Sequence, residues 1–108
     1  MEWHVEVLNK TVRKELESLP KDMRSKLDRI MELMETFGLQ EVREPYVKHL
    51  QQKLWEMRVK GQDGIARAIY VTVHERRIVI LHAFRKKSQK TPRVAIQTAL
   101  SRMKEIDK

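Results

Sequence analysis

Three strand-like segments separated by two very short turns fill residues 54–84 of this 108-residue chain, which leaves an antiparallel meander as its central feature. Leu54-Trp55-Glu56-Met57-Arg58-Val59 alternates, with Trp55, Met57 and Val59 on one side and Glu56 and Arg58 on the other. Gly61-Gln62-Asp63-Gly64 is a turn with a glycine at each end, which sends the chain back antiparallel. Residues 65–73 are rich in β-branched side chains, and Glu75-Arg76-Arg77 makes the second turn. Residues 77–84 are so apolar that this strand is expected at a central position, buried on both faces.

Helices are expected around that meander. Residues 3–8 alternate weakly and read as a short first strand, and Asn9 can cap the helix carrying Val12, Leu16 and Leu19. Pro20 ends it or starts the next, in which Met23, Leu27, Ile30, Met34 and Phe37 form one core-facing stripe. Gly38 is a natural stop. Residues 39–52 are polar, contain Pro45 and read as a loop. Thr91 is placed to cap a last helix with Pro92 at its first position, and Ala95, Ala99, Met103 and Ile106 line its buried side. The expected fold is α+β, in the order β-α-α-β-β-β-α, with a mainly antiparallel sheet packed by helices in one domain over residues 1–108.

Charge is distributed unevenly. Residues 1–40 hold seven Lys/Arg against eight Asp/Glu, and residues 41–108 hold sixteen against seven. From Arg76 to Lys104 there are nine cations and no acid, and Arg85-Lys86-Lys87-Ser88-Gln89-Lys90-Thr91-Pro92-Arg93 packs five cations into nine residues. Cations fanning from the end of a strand make an anion-binding face, for which nucleic acid is the commonest partner. An anionic membrane surface or an acidic protein remain alternatives. The bland reading of the same stretch is a solvated basic loop.

Several chemistries are excluded by composition. With no cysteine there is no disulfide, thiol nucleophile or cysteine-bound zinc, which fits a reducing, cytoplasmic setting. The acidic, polar start is unlike a signal peptide, and no apolar run reaches membrane-spanning length, so no membrane partner is expected. No nucleotide-binding or hydrolase motif is present, the four histidines are scattered, and no carboxylate cluster suits a two-metal nuclease. No metal and no cofactor are therefore expected.

What remains is metal-free acid–base chemistry on RNA. A 2′-hydroxyl must lose a proton, the phosphate's growing charge must be stabilised, and the 5′-oxygen must gain a proton. Guanidinium groups grip phosphate through paired bonds, and a lysine crowded by cations is a candidate proton donor or acceptor. Arg58, Arg67, Lys86 and Lys87 lie on or just beyond three consecutive strands, with Arg58 and Arg67 each three residues from a turn glycine and so placed to pair across the hairpin.

These residues also carry a family likeness. Leu54-Trp55-Glu56-Met57-Arg58, then Arg67 and Tyr70, then Ile80-Leu81-His82-Ala83-Phe84-Arg85-Lys86-Lys87-Ser88-Gln89-Lys90-Thr91-Pro92 resemble the RelE/ParE toxin superfamily, in its HigB-like, phage-derived branch. The resemblance spans residues 3–106 and implies a RelE-like microbial RNase fold. It implies the toxin of a type II toxin–antitoxin system, a metal-independent endoribonuclease that cuts mRNA on the ribosome and stops translation and growth. A helix-turn-helix antitoxin would neutralise it, over the basic face or across the N-terminal helices. Arg58, Arg67, Lys86 and Lys87 take the catalytic positions, and Arg85, Lys90 and Arg93 hold flanking RNA. Glu56 is either a general base or, as an acid held charged among cations, the group that orients Arg58. Tyr70 stacks on a base or packs in the sheet. Two departures stand out: Ala83 replaces a common glycine, and residues 102–108 lack the tyrosine or histidine some relatives carry, which would shift proton transfer to His82, Lys86 or Lys87 or leave the protein weakly active. Two other functions fit the likeness, a ParE-type DNA gyrase inhibitor and a non-catalytic nucleic-acid-binding phage remnant.

Overall fold

The computed structural model describes residues 2–106; Met1, Asp107 and Lys108, at the ends of the expected domain, lie outside the described residues. Its elements are β1 (His4–Val7), α1 (Lys10–Glu17), α2 (Lys21–Phe37), a 3-10 turn (Leu39–Glu41), β2 (Val47–His49), β3 (Trp55–Gly61), β4 (Gly64–Val73), β5 (Arg77–Lys86) and α3 (Arg93–Met103). They form an α+β fold with one five-stranded sheet in the order β1-β5-β4-β3-β2. All neighbours are antiparallel except β1 and β5, which run parallel.

Local chemistry explains most boundaries. The Asn9 side chain accepts the Val12 amide and caps α1. Pro20 stands at the N-cap of α2, and Gly38, at φ +90°, ends it in a conformation other residues resist. Gly61 and Gly64 face each other across the β3–β4 hairpin. Gly61 also lets α2 approach, since a Cβ there would lie 2.7 Å from the Met23 side chain.

Helices cover both faces. On one, Val12 of α1 and Met23, Leu27, Ile30 and Met34 of α2 pack on Met57, Val59, Ala66, Ala68, Ile78 and Ile80. On the other, Ala95 and Ala99 of α3 pack on Leu54, Ile69, Val71, Val79 and Leu81. Strand β5 is interior, as its apolar run requires, although β4 takes the middle place.

Three expectations need correction. Residues 39–52 are not all loop, because Val47–His49 pairs with β3 as an edge strand. Three residues are too few to show a periodic pattern in sequence. Phe37 does not complete the α2 stripe and is 62% exposed, because the helix ends there and Gly38 turns the chain away. Thr91 does not cap α3. The cap position belongs to Pro92, and the Thr91 hydroxyl points elsewhere.

A bulge sets the far half of β5. Tyr70 pairs with Ile80 but Ile69 pairs with His82, so Leu81 is an extra residue. Beyond it every side chain changes face. Phe84 and Lys86 thereby share the face of Arg67, while Arg85 pairs with Ala66 on the opposite one.

β1 pairs with β5 only as far as Ile80, so the rest of that edge needs other partners. Glu15 of α1 accepts the Ala83 amide at 3.1 Å, and Arg102 of α3 donates to the Leu81 carbonyl at 2.9 Å. Arg102 also bonds both Glu15 oxygens, and His82 lies 2.9 Å from one of them. Burial alone would raise the Glu15 carboxyl, but the bonds from Arg102, His82 and the Ala83 amide together hold it below its ordinary value. A depressed carboxyl stabilises the fold above its unfolded pKa and loses that contribution as pH falls through the folded one. Glu15→Gln is therefore expected to cost about 2 kcal/mol at neutral pH. Urea denaturation should show the gap closing as the pH falls below the ordinary carboxylate value of 4.5; an equally wide gap in acid would refute the assignment.

Candidate functional site

The chemistry gathers at one end of the sheet, on the face that carries α3 but beyond the helix itself. Glu56 and Arg58 project from β3, and Arg67 projects from β4 directly opposite Arg58 in register. Alternation dictates this: Met57 and Val59 turn to the α1–α2 core, so Glu56 and Arg58 must turn away from it. The expected pairing of Arg58 with Arg67 is present.

The cluster is dry. Glu56 and Arg67 have no exposed surface, and the Arg58 side chain keeps 18%. Arg58 Nε lies 3.2 Å from Glu56 Oε2, and Arg67 Nε lies 3.8 Å from Glu56 Oε1. Thr91 Oγ1 donates to Glu56 Oε1 at 2.6 Å. Above the arginines the loop after β5 turns its carbonyls inward. Arg58 Nη2 and Arg67 Nη2 both donate to the Gln89 carbonyl at 2.7 Å, and Arg67 Nη2 also donates to the Ser88 carbonyl. Two guanidinium groups from adjacent strands thus converge on one oxygen.

One carboxylate serves two guanidinium charges here. Burial pushes the Arg67 pKa below its ordinary value, the Glu56 charge opposes that, and neighbouring Arg58 adds to it. The buried Nε of Arg58 and the buried Nε and Nη1 of Arg67 make no hydrogen bond. Carbonyl dipoles are weaker partners for such groups than an anionic oxygen.

Around this buried pair Arg85, Lys86, Lys87, Lys90 and Arg93 are all exposed. Lys86 shares the arginines' face by register, Lys87 and Lys90 ride on the loop, and Arg93 opens α3. Arg85 points to the other face and donates to the Asp63 carbonyl. Tyr70 does not join them. It is 3% exposed within the α1–α2 core, where burial raises its phenol, so it packs in the sheet and cannot stack on a base. Thr91 is the functional-site residue that sequence reasoning missed. A threonine before Pro92 matches a helix start, and nothing local marks a partner 35 residues earlier. Among the described residues no group of three or more histidine, aspartate or glutamate side chains could hold a metal ion.

Arg58 and Gln89 also line a groove of about 1220 Å³ between α2 and β3. Aliphatic Ile30, Leu33, Val47 and Val59 line it together with the cations Lys26, Arg29, Arg43 and Lys48 and the acids Glu41 and Glu44.

Comparison with known proteins supports the fold. Residues 14–104 match a family described as Phage derived protein Gp49-like. A mutant of the E. coli toxin RelE in the free state superposes with a TM-score of 0.67 at 12% identity, over 95% of this chain and 99% of that one. At that identity the likeness shows the fold. The archaeal RelE–RelB complex from Pyrococcus horikoshii gives a TM-score of 0.59 at 26% identity, over 83% of this chain and 100% of that one. None of the curated proteins matches the sequence.

The buried cluster makes a stability prediction. Removing one partner of a buried ion pair strands the other, so Glu56→Ala is expected to cost about 3–5 kcal/mol. The Glu56→Met/Arg67→Met double variant removes the two fully buried charges, leaves only the part-exposed Arg58, and should recover most of that loss in chemical denaturation. A double variant no more stable than Glu56→Ala would contradict the pairing.

Proposed function

The chain belongs to the Gp49-like, phage-derived family of the RelE superfamily, and from that membership we propose that it is the toxin of a type II toxin–antitoxin pair, a metal-independent endoribonuclease acting on mRNA at the ribosome. The observation that carries the reading is the convergence of Arg58 and Arg67 on a single oxygen, ringed by exposed lysines. The point held by the Gln89 carbonyl is where a non-bridging phosphate oxygen would stand once the loop yields. Its growing charge in the transition state would meet two guanidinium groups in a dry site.

The remaining roles follow from position. Lys86, exposed on the arginines' face, and the adjacent Lys87 are the groups free to move protons. One takes the proton of the 2′-hydroxyl as its oxygen attacks phosphorus. The bond to the 5′-oxygen breaks, and that oxygen receives a proton. The products are a 2′,3′-cyclic phosphate and a 5′-hydroxyl. Lys90 and Arg93 hold flanking phosphates, whereas Arg85 stands on the other face of the sheet. Glu56 is buried and engaged by Arg58, Arg67 and Thr91, which favours orienting the arginines over acting as the base.

An antitoxin partner belongs to the same proposal, since one of the similar structures is titled as a RelE–RelB complex. A helix-turn-helix antitoxin, as the HigB-like resemblance of this chain implies, would supply it. The groove between α2 and β3, lined by aliphatic side chains and by more cations than acids, fits an acidic amphipathic segment of such a partner.

Induced expression in bacteria tests the enzyme. Wild type should arrest growth and produce translation-dependent mRNA cuts, and Lys86→Ala/Lys87→Ala should lower cleavage about 100-fold or more. Both lysines are exposed, so stability should be unchanged. Growth arrest without cuts would favour a gyrase-type inhibitor, and ends bearing only a 3′-hydroxyl would exclude the cyclic-phosphate route.

A further inference from the structure

The loop from β5 to α3 is exposed through Lys87, Ser88, Gln89 and Lys90, yet its end is pinned. Thr91 is 8% exposed, and its hydroxyl holds the fully buried Glu56 at 2.6 Å. That bond lies within three residues of the Ser88 and Gln89 carbonyls that occupy Arg58 and Arg67. The pin and the cover are therefore one device. While Thr91 stays on Glu56, the backbone at Ser88 and Gln89 is carried over the arginines.

The cover is a poor match for what lies beneath it. The buried Arg67 and the mostly covered Arg58 face one carboxylate, and among the described residues the balance is met by neutral carbonyls. A phosphate oxygen carries formal charge and would compete for the same Nη2 atoms with stronger bonds. Loop and phosphate cannot occupy that point together.

We infer that Thr91 and Glu56 are positioning residues that set how readily an RNA phosphodiester displaces the Ser88–Gln89 strap from Arg58 and Arg67. This rests on the reading of those arginines as phosphate ligands and adds to it a self-occluded resting state. The apparent affinity for RNA is then the intrinsic affinity reduced by the fraction of molecules with the strap open. Weakening the pin raises that fraction, so a variant that loses a native hydrogen bond should bind RNA more tightly. A bond that merely supported the site would have the opposite effect.

The probe is a short 2′-O-methyl RNA oligonucleotide, which lacks the attacking hydroxyl. Thr91→Val keeps the side-chain volume and removes the donor, whereas Thr91→Ser keeps the donor. Loss of one hydrogen bond to a charged group corresponds to about a tenfold shift in the opening equilibrium. Thr91→Val should bind the oligonucleotide up to about tenfold more tightly and move the Ser88 and Gln89 carbonyl carbon NMR signals toward those of a loop released from the arginines. Thr91→Ser should match wild type in both. Unchanged or weaker binding by folded Thr91→Val overturns the inference.

A second measurement needs no variant. In wild type saturated with the oligonucleotide, the Arg58 and Arg67 guanidinium NMR signals and the Ser88 and Gln89 carbonyl carbon signals should shift. Carbonyl signals unmoved on binding, or no binding at all, also overturn the proposal. Neither readout requires cleavage, so a strap that opens in a protein that cuts no mRNA sinks the proposed activity and leaves this inference standing.

Discussion

Arg67 is a guanidinium charge on the middle strand of the sheet with no contact with solvent, and much of the surrounding architecture answers the cost of putting it there. Desolvating such a group costs several kcal/mol unless opposite charge and hydrogen bonds surround it. Glu56 supplies the charge from β3, and the loop after β5 supplies the carbonyls. That loop is therefore shaped from below by an ion cluster. Its lysines remain outside because its backbone is drawn inward, which turns a buried liability into a rim of exposed cations around a dry pair of arginines.

The sheet register makes this possible. Arg58 and Arg67 face each other because the Gly61–Gly64 hairpin pairs them. Lys86 joins their face only because Leu81 is bulged; an unbroken register would present Arg85 instead. The same bulge lies where β5 runs past the end of its pairing with β1, and there Glu15 and Arg102 take over the edge from opposite faces. α1 and α3 are thus tied to each other across the edge, beside the strand that delivers the basic loop.

Much of the core could be read from periodicity. Alternation at residues 54–59 separates Met57 and Val59, which pack in the α1–α2 core, from Glu56 and Arg58 on the other side of the sheet, and the stripe at Met23, Leu27, Ile30 and Met34 forms the buried face of α2. Position in the chain failed at the margins of elements. Phe37 continues the helical spacing but falls where the helix ends, and Val47–His49 is too short to declare itself as a strand. Tyr70 was ambiguous between stacking and packing because a strand residue's face depends on register, and register put it in the core.

The sequence by itself determined which residues could do chemistry: side-chain types, hairpin spacing and the concentration of cations after Arg76 are local properties, legible one segment at a time. Only the tertiary structure decided which of them are available. Arg67 is covered, Arg58 nearly so, Lys86 and Lys87 are open, and Thr91 leaves its expected helix cap for a carboxylate on β3. Those outcomes depend on a bulge, on backbone carbonyls and on a bond between distant strands and loops. Backbone groups are the same at every position in the sequence, so where they point is set only when the chain has folded.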